Sequence, residues 1–588
     1  MSKKIVKKKR SKFFTAFSII LSIVLLGFCA AFIYQLKNMN VLPDSLFLPA
    51  SVALVLFCVV FVFLQFFYTK KIFSKIFVSL LVICLCIGTG FGNYYLYKTA
   101  NTMQKVTKKD DKKIKNTVSV IVNKSSNIEK LSQLKGKKVG KLKNIDTEGT
   151  KKALTQIRKD LELEKKADLP VTTEYVNSVQ EAVNMLYEEK LDAIILNEAY
   201  RSNVLEMEAF ADFNDKTTVI HKTVFYTKDT NEPLAVSDIT QTPFNILISG
   251  NDSYGEIGSE VSRSDVNMVV TINPLTSTVL LTSIPRDAYV TTVCDATDVC
   301  AYGGMDKLTH TGIHGVNVTK RTVENMLNIE INYTFVVNFS SLTSIVDALG
   351  GIDIEVPQGM AVHRFYSDSS LEGVTEGLNH LNGDRALAFS RERKAYLDGD
   401  LQRVRNQQIV LEAIFEKATS PSIITQYASL MDALANAFQT NLSVNEITDL
   451  IKFQIQTGTS WKFENYQVIG YSDMLVCAEA GQELSVIVPY AEAIDISHRK
   501  IEAVLKGESS TTIEDTFDAN SSQGTLSREE IDAQIDADLY GSYYSYDYYY
   551  DPNTQNVYGG VTVYEPTTSE PYGNESGSEE FDPSQTLQ

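Results

Sequence analysis

The chain has 588 residues, 44% of them hydrophobic, and carries a formal net charge of −17. Residues 508–588 hold 17 acidic residues and one base, which leaves −1 for the preceding 507 residues. This distribution excludes an evenly acidic protein, because nearly all of the excess acid belongs to a C-terminal tail.

Three stretches near the N-terminus contain no charged residue: 13–36, 45–69 and 76–97. Each is 22 to 25 residues long, and a helix needs about 20 apolar residues to cross a bilayer. A cleaved signal peptide would have one shorter apolar core, so that interpretation fails. Buried core helices are the alternative, but three such stretches in succession favour three transmembrane helices over residues 13–98.

Basic residues flank these stretches unevenly. Seven precede the first: Lys3, Lys4, Lys7, Lys8, Lys9, Arg10 and Lys12. The connection between the second and third adds Lys70, Lys71 and Lys75, whereas the first connection has only Lys37 and Asp44. Because positive charge stays inside, we expect a multi-pass protein of the cell membrane with residues 1–12 in the cytoplasm and an extracellular remainder. Lysines at 105–115 argue mildly the other way, although large domains translocate largely regardless of charge.

Residues 115–235 alternate between strand-like and helix-like patterns. "NTVSVIVNK" and "LKGKKVGKL" predict strands, and "SVQEAVNMLYEEKLDAIILN" predicts a helix followed by a strand. This small α/β domain resembles one lobe of extracellular solute-binding proteins, notably in "LSQLKGKKVG" and "KLDAIILNE". Since a solitary lobe has no second half to close around a ligand, an accessory or docking role is favoured over solute binding.

Residues 240–505 predict a second α/β domain with a central mixed sheet and helices on both faces. "FNILISGNDS", "VNMVVTINP" and "TVLLTSIP" are strand-like, and helical patterns follow, including "SSLTSIVDALGG" and "VRNQQIVLEAIFEKA". Cys294 and Cys300 could bridge a small loop, because an extracellular compartment permits disulfides. Residues 506–588 form an acidic tail with ten tyrosines between 540 and 572, which we interpret as disordered.

Charged side chains concentrate at the ends of the predicted strands of this second domain. Asp252 follows the first strand, Arg263 and Asp265 precede the second, and Arg286 follows the third. If these consecutive strands are neighbours, the two aspartates meet at one sheet edge. Two carboxylates side by side favour a hard cation such as Mg²⁺, or Mn²⁺, with substrate phosphates completing its ligands.

A later segment, "FSRERKAYLDGDLQRVRNQQ" (389–408), adds Arg391, Arg393, Asp400 and Arg403. Guanidinium groups pair bidentately with phosphate oxygens, and a cation with several arginines is typical of phosphoryl transfer. Taken singly, an aspartate after a strand is more often a turn residue, and a charge run is more often a solvated face. For Lys394 and Arg405 we favour this solvated interpretation over a phosphate contact.

"DKLTHTGIHG" holds two histidines, His310 and His314, at a spacing that would suit metal ligands on a helix. The glycines around them break helices, so a loop lining the site is favoured, with Lys307 as a further anion contact. The sequence contains no GxxxxGK[ST] loop and no GxSxG elbow, so nucleotide hydrolysis and serine-hydrolase chemistry have no support.

Six motifs in order make the second domain resemble the LytR-CpsA-Psr (LCP) family, and the three-span N-terminus is most similar to its streptococcal CpsA-type members. The motifs are "NILISGNDS", "RSDVNMVVTINP", "LTSIPRDAYV", "DKLTHTGIHG", "VNFSSLTSIVDALGGIDIEV" and "LNGDRALAFSRERKAYLDGDLQRVRNQQ". This chain departs from the family pattern at two positions. Relatives commonly have arginine at the position of Lys394 and glycine at the position of Gln402.

The resemblance implies a phosphotransferase that moves a glycopolymer, capsular polysaccharide in the CpsA branch, from polyprenyl pyrophosphate to peptidoglycan. It implies that Asp252 and Asp265 hold Mg²⁺ and that Asp400 is a further site carboxylate. It assigns the phosphate groups to Arg263, Arg286, Arg391, Arg393, Arg403 and Gln407. The lipid is expected in an apolar tunnel between the sheet and the helices.

Two functions other than an enzymatic one are alternatives for this protein. A DNA-binding regulator would need a basic domain in the cytoplasm, where the predicted topology leaves only about twelve residues and one short loop, so no nucleic-acid partner is expected. A non-catalytic adaptor would bind the lipid-linked polymer, or proteins of capsule synthesis and its kinase system, without performing the transfer.

Overall fold

The computed structural model describes residues 12–68, 72–107, 113–143, 145–162, 171–228, 230–251, 262–294, 300–420, 430–434, 437–515, 544–551 and 556–563. Its first elements are three apolar helices: α1 (Lys12–Met39), α2 (Asp44–Phe63) and α3 (Ile72–Val106). A single π-helical turn, Leu64–Tyr68, continues α2. All three helices are long and apolar enough to cross a membrane, which agrees with the predicted membrane anchor.

The third helix is longer than the apolar stretch that predicts it. It runs for 35 residues, to Val106, whereas the uncharged stretch ends at residue 97. Beyond that stretch the helix contacts the segment 430–434: Lys98 forms an ion pair with Asp432, and the Thr102 hydroxyl donates to the Met431 carbonyl at 2.9 Å. The anchor therefore reaches the second domain as one unbroken helix.

The accessory domain comprises residues 113–228. Its five-stranded mixed sheet has the order β3-β2-β4-β1-β5, in which β1 is antiparallel to both of its neighbours and β2 is parallel to both of its own. In chain order the elements are β1 (Lys113–Asn123), β2 (Lys138–Leu142), α4 (Thr147–Asp160), β3 (Thr172–Val176), α5 (Val179–Tyr187), β4 (Ala193–Asn197), α6 (Arg201–Glu206), α7 (Phe213–Lys216) and β5 (Thr217–Lys228). Buried apolar clusters occupy the two faces of this sheet.

The main domain comprises residues 244–515 and has a six-stranded mixed sheet at its centre. The first half contributes β6 (Phe244–Asn251), β7 (Ser264–Asn273), β8 (Thr278–Ile284), β9 (Tyr289–Thr291), β10 (Met305–Lys307), α8 (Val316–Leu327), β11 (Tyr333–Asn338), α9 (Phe339–Ala348) and β12 (Ile352–Val356). The second half contributes β13 (Val362–Arg364), β14 (Glu372–Val374), β15 (Gly377–Leu381), α10 (Gly383–Arg391), α11 (Asp400–Thr419), β16 (Phe438–Thr440), α12 (Val444–Thr457), β17 (Lys462–Gln467), β18 (Gly470–Cys477), β19 (Gln482–Pro489) and α13 (Ala491–Leu505).

The central sheet has the order β16-β11-β6-β7-β8-β17 and is covered on both faces. Alternating side chains of its strands point to opposite faces, so Val269 and Leu280 pack with α8 and α13, while Val270 and Leu281 pack with α11 and Trp461. The predicted α/β/α arrangement around a mixed sheet is thus confirmed. A third apolar cluster fills the space among α9, α10, α11 and the small strands β12 to β15.

The glycine pair that closes "SSLTSIVDALGG" follows the end of α9. Gly350 and Gly351 have φ angles of 78° and 89°, which a side chain would disfavour. The Gly351 amide donates to the Val346 carbonyl at 2.9 Å and the Gly350 amide to the Asp347 carbonyl at 3.0 Å. These two bonds satisfy carbonyls at the helix end and turn the chain sharply into β12.

The beginning of the predicted tail belongs to the main domain. The ammonium group of Lys500 donates to the carbonyls of Ser510 and Ile513 and pairs with Asp515 at 2.9 Å, while Glu464 accepts from the Ser510 amide at 2.7 Å. Residues 509–515 are therefore packed rather than disordered, because buried charges of the domain need them as partners.

Two further segments of the predicted tail are described. Residues 544–551 and 556–563 pair as antiparallel strands, labelled β20 (Tyr544–Asp551) and β21 (Asn556–Val563). Tyrosine and valine favour the extended conformation. The rest of the predicted tail beyond Asp515 lies outside the described residues.

Candidate functional site

Four chain segments converge at one edge of the central sheet. The antiparallel pairing of β6 with β7 sets Asn251 opposite Ser264, and the parallel pairing of β11 with β6 sets Asn338 beside Asn251. The end of β8 lies on the other side of β7, since Ile284 pairs with Asn267. The predicted neighbouring strands are therefore present, and their polar flanks meet.

A cavity of about 490 Å³ opens at this edge, and we call it the arginine cavity. Its lining residues are Arg263, Asp265, Val266, Arg286, Phe339, Tyr366, Ser367, Arg391, Glu392, Arg393, Lys394, Arg403 and Gln407. Six of them are cationic and two are acidic, so the cavity has a formal charge of +4. Concentrated positive charge in a partly buried hollow fits a polyanionic ligand.

The inner wall of the arginine cavity is a hydrogen-bonded pair of opposite charges. Nη1 of Arg286 donates to one oxygen of Asp265 at 3.0 Å, and the Thr309 hydroxyl donates to the other at 2.8 Å. Arg263 lies two residues before Asp265 and is only 4% exposed. Burial restricts these side chains to few conformations, so the inner cations are fixed in place before a ligand arrives.

Arg403 lies in a strongly cationic environment. Burial is the main factor that lowers the pKa of its guanidinium below the ordinary value, and the charges of Arg286 and Arg393 add to the effect. One carboxylate oxygen of Asp400 pairs with Arg403 at 2.6 Å and opposes it. Nε of Arg403 is buried and has no hydrogen-bond partner among the described residues. A bound anion would relieve both the repulsion and the missing hydrogen bond.

Helix α11 is held in position by its own polar side chains. Arg403 and Gln407 are one turn apart and both line the arginine cavity. The next residue, Gln408, faces the sheet and donates to the carbonyl of Tyr466 at 3.0 Å and to the hydroxyl of Ser283 at 3.0 Å. Asn406 donates to the Phe389 carbonyl in α10 at 3.0 Å. These bonds fix the rotation of α11 about its axis, which sets the direction of its two cavity residues.

The outer rim carries cations that stack on aromatic rings. The guanidinium carbon of Arg391 lies 4.4 Å from the ring centre of Phe339, and Nζ of Lys394 lies 3.8 Å from that of Tyr366. Burial, helped by the charge of Arg393, lowers the pKa of Lys394. Lys394 lines the cavity and is also exposed, as the solvated interpretation of the sequence expects. Arg405 lies outside the cavity and pairs with Asp398 at 2.7 Å.

Glu392, which no sequence pattern singles out, organises this rim. Its carboxylate is fully buried and accepts from four backbone amides, those of Tyr366 (2.6 Å), Ser367 (3.0 Å), Arg393 (3.0 Å) and Ala395 (3.2 Å). Burial raises the pKa of Glu392, against the effect of these bonds. The residue ties the 366–367 turn to the segment that carries Arg393 and Lys394.

Lys307 does not line the arginine cavity. Its ammonium group lies 2.9 Å from Asp287, which also approaches Nε of Arg286 at 3.4 Å. Burial alone would raise the pKa of Asp287, but the charges of Lys307 and Arg286 hold it below its usual value. Lys307 therefore acts on the site only indirectly, through the carboxylate that flanks Arg286.

The two histidines lie on a short 3-10 helix, Leu308–His314, rather than on an open loop. His310 is buried against Asp306, with 2.6 Å between Nδ1 and a carboxylate oxygen. Nε2 of His314 approaches Glu479 at 2.9 Å, in a different cavity. Among the described residues, no three His, Cys, Asp or Glu side chains cluster as a metal site would require.

Gly312 allows this 3-10 helix to lie against the start of β7. A Cβ at Gly312 would come within 2.5 Å of the Ser264 amide and 2.6 Å of the Ser262 carbonyl. Such distances exclude any side chain. The close approach brings Thr309 to Asp265, so the glycine between the two histidines serves the arginine cavity.

Asp252, which the sequence assigned to the metal together with Asp265, lies outside the described residues. The residues that are described fit a hard cation: each Asp265 oxygen accepts one hydrogen bond and retains the capacity to accept a further ligand, and Asp265 lines the strongly cationic cavity. Mg²⁺ is commonly held by one or two carboxylates with substrate phosphates. The pairing of Cys294 with Cys300, left open by the sequence, is a disulfide in the structure.

Comparison with known proteins gives two family matches. Residues 208–479 match the LytR_cpsA_psr family. Residues 70–196 match a family described as DNA polymerase processivity factor, and that match begins just before α3 and ends within β4.

Curated relatives match the main domain. TagU of Bacillus mycoides (strain KBAB4), a polyisoprenyl-teichoic acid--peptidoglycan teichoic acid transferase, is 34% identical over 234 residues, which cover 40% of this chain and 71% of the relative. TagT of Bacillus subtilis (strain 168), which has the same activity in its name, is 32% identical over 268 residues, 45% of this chain and 79% of the relative. The crystal structure of B. subtilis TagT is 28% identical over 47% of this chain and 98% of that chain, with a TM-score of 0.37. The chain belongs to the LytR-CpsA-Psr family.

Proposed function

We propose that the protein is a membrane-anchored phosphotransferase that moves a glycopolymer from polyprenyl pyrophosphate to peptidoglycan. The observation that carries this proposal is the arginine cavity, in which six cations surround one carboxylate with free lone pairs. The names of the curated relatives supply the reaction class, since both transfer a polyisoprenyl-linked polymer to peptidoglycan. The CpsA-type resemblance favours capsular polysaccharide as the polymer.

In the proposed reaction an acceptor hydroxyl of peptidoglycan attacks the phosphorus atom that bears the glycopolymer. A new P–O bond forms, the bond from this phosphorus to the bridging oxygen breaks, and polyprenyl phosphate leaves with the bond's electron pair. The hydroxyl proton passes to solvent, and the product is a phosphodiester. Charge grows on the bridging and non-bridging oxygens during this exchange, so fixed cations nearby lower the barrier.

The inner and outer cations would have different tasks. Arg263, Arg286 and Arg403 are partly or fully buried and fixed, which suits the pyrophosphate oxygens where charge develops. Arg391 and Lys394 stack on rings at the exposed rim, where they would bind the phosphate during entry and exit. Gln407 adds a neutral donor on the same face of α11.

Magnesium is the proposed cofactor, with Asp265 and Asp252 as its protein ligands. When bound, the ion would neutralise pyrophosphate charge and polarise the bond that breaks. Asp400 would keep Arg403 charged and oriented through their 2.6 Å contact. Manganese satisfies the same oxygen ligands and would substitute.

The lipid and the membrane fit this arrangement. The apolar cluster among α9, α10 and α11 includes Phe389, two residues before Arg391, and Leu430 from the segment that contacts α3. A polyprenyl chain would enter among these helices from the membrane side. We propose that the catalytic domain is extracellular and the N-terminus cytoplasmic, as the distribution of positive charge predicts.

A non-catalytic adaptor would bind the same lipid-linked polymer, so the decisive experiment must measure the transfer itself. The full chain carrying Arg286→Ala is produced in its host, and wall-linked and released glycopolymer are quantified separately. We expect wall-linked polymer to be lost and released polymer to rise while the protein reaches the membrane at its usual level. Arg499→Ala, which removes an exposed arginine from α13, is the matched control. Unchanged wall linkage in the Arg286→Ala strain would establish the adaptor instead.

A further inference from the structure

A second cavity, of about 610 Å³, lies between the accessory domain and the main domain, and we call it the interdomain cavity. It shares no lining residue with the arginine cavity. The accessory domain contributes twelve of the lining residues, among them Lys143, Asp146 and Glu148, and the main domain contributes eight, among them Ala301, His314 and Glu479. Its volume falls in the range of about 300 to 1,000 Å³ that is typical of small-molecule sites.

The wall between the two domains is already organised. Glu479 accepts from the Tyr200 hydroxyl at 3.0 Å, from the Ala301 amide at 2.8 Å and from Nε2 of His314 at 2.9 Å. Burial alone would raise the pKa of Glu479, but the charge of His314 and these hydrogen bonds lower it to about 2. Glu479 is therefore ionised at neutral pH, and its negative charge raises the pKa of His314 against the effect of burial.

The remaining charged groups of the interdomain cavity come from the accessory domain. Asp146 and Glu148 are acidic and Lys143 is basic, which leaves one negative charge in excess. Burial raises the pKa of Asp146 to about 7, and Glu479 contributes in the same direction, while a hydrogen bond from Asn197 and the charge of His314 oppose the rise. The ionised Asp146 therefore lacks a full counter-charge, and a cation placed in the cavity would supply it.

Apolar and hydrogen-bonding groups surround this carboxylate. Ile114, Phe225 and Ile313 provide apolar contact, and Asn116 and Thr227 provide side-chain donors and acceptors. Asp146 itself sits with φ at 47°, a left-handed conformation that Asp and Asn tolerate better than other residues with side chains. Gly149 gives it room, because a Cβ there would lie 2.3 Å from a carboxylate oxygen. The backbone is thus shaped around one buried acid.

We propose that the interdomain cavity binds a small polar molecule that carries a protonated amine, such as an amino sugar or an amino acid, with the amine paired to Asp146. The sequence favoured an accessory or docking role because a solitary lobe lacks a second half to close around a ligand. The structure supplies that half: His314, Ala301 and Glu479 of the main domain form the opposite wall. A ligand there contacts both domains and stabilises their junction.

The test is calorimetric titration of the full chain in detergent micelles at pH 7.2, with D-glucosamine, L-lysine and putrescine as amine probes. We expect saturable binding of at least one probe below millimolar concentration. N-acetyl-D-glucosamine keeps the sugar ring and removes the charge, so it is expected to bind at least tenfold more weakly than D-glucosamine if the latter is the ligand. Asp146→Asn preserves the backbone conformation and is expected to weaken amine binding at least tenfold. Asp215→Asn, at an exposed acid of the same domain, is the control and leaves binding unchanged.

Three results would overturn the proposal: no saturable binding of any amine probe, equal binding of the acetylated and free amino sugar, or unchanged affinity in Asp146→Asn. A protein that fails to fold is recognised independently, because the thermal unfolding midpoints of Asp146→Asn and Asp215→Asn are measured in the absence of probe. Wall linkage of glycopolymer does not enter this experiment, so its outcome is separate from that of the proposed transferase activity.

Discussion

Arg286 and Asp265 form a 3.0 Å ion pair at the inner wall of the arginine cavity, and the second oxygen of Asp265 accepts from Thr309. The aspartate balances the charge of an inner cation and can still accept a further ligand. The pair therefore links the two tasks of the site, since the same group orients a guanidinium and faces the anion. Changes at Asp265 are expected to affect chemistry more than folding.

Asp265→Asn tests this expectation. The amide oxygen can still accept from Thr309, but the counter-charge for Arg286 is gone and a metal ligand is weakened. We expect the transfer rate to fall about 100-fold or more, with a higher Mg²⁺ concentration needed for half-maximal rate. The measurement is release of polyprenyl phosphate by full-length protein in nanodiscs. Asp495→Asn, at an exposed acid of α13, should behave as the unmodified protein. An undiminished rate in Asp265→Asn would remove this residue from the reaction.

Glu392→Gln is expected to destabilise the rim. Glutamine has one acceptor oxygen, so two of the four backbone amides lose their partner and each unsatisfied buried donor costs about 1–3 kcal/mol. The thermal midpoint should fall by several degrees, and the KM for lipid-linked substrate should rise more than kcat falls. Glu355→Gln, on the exposed face of β12, is the control. Equal midpoints for the two variants would contradict the positioning role of Glu392.

Stability should depend on pH through the His314–Glu479 pair. The pKa of Glu479 is lowered from 4.5 to about 2, so its contribution is present above pH 4.5 and is lost as the pH falls toward 2. The pKa of His314 is raised above 6.5, chiefly because Glu479 outweighs burial, so its contribution is present below pH 6.5 and is lost as the pH rises through the folded-state value. The pair therefore stabilises the fold most between about pH 4.5 and 6.5.

Asp146 contributes with the opposite sign, because its pKa is raised from 3.8 to about 7 and its ionisation costs stability as the pH rises. Subtracting the thermal midpoints of His314→Gln from those of the unmodified protein at each pH gives the contribution of His314, whose charge acts on Glu479 and, more weakly, on Asp146. We expect this difference to be largest between about pH 4.5 and 6.5 and smaller on both sides. A difference that does not vary with pH would refute the ionised pairing.

Truncation should locate the true end of the main domain. A chain ending after Asp515 keeps every partner of Lys500 and Glu464 and should unfold at the midpoint of the full chain. A chain ending after Glu508 leaves the buried ammonium of Lys500 without these partners, and a buried unpaired charge costs several kcal/mol. We expect a midpoint lower by several degrees, measured by thermal unfolding. Identical midpoints for both truncations would show that residues 509–515 do not stabilise the domain.

The sequence identified the cavity residues that follow or precede strands, because sheet topology alone brings such positions together. Arg263, Asp265 and Arg286 are of this kind. It missed Glu392, because an acid between two arginines is indistinguishable from a solvated charge run until the backbone amides around it are located. It also missed Phe339, whose stacking on Arg391 depends on how α9 packs against α10.

Local sequence patterns could not predict the interdomain cavity, for a different reason. Its acids and its opposite wall are contributed by residues as far apart as Asp146 and Glu479, and each is ordinary in its own segment. These residues form a cavity only because the two domains pack against each other. Membrane helices, by contrast, depend on composition over some 20 residues, and α1, α2 and α3 were predictable for that reason.

The length of helix α3 also determines the distance between the bilayer and the main domain. Its 35 residues span about 50 Å, and the hydrocarbon core of a bilayer accounts for about 30 Å of that length. The remaining length of about 20 Å is a rigid helical spacer rather than a flexible linker. Its contacts at Lys98 and Thr102 attach it to the main domain. The protein is thereby held at a fixed height above the bilayer, so a substrate anchored in the same membrane would meet the site by lateral diffusion in two dimensions instead of by a search through the surrounding volume.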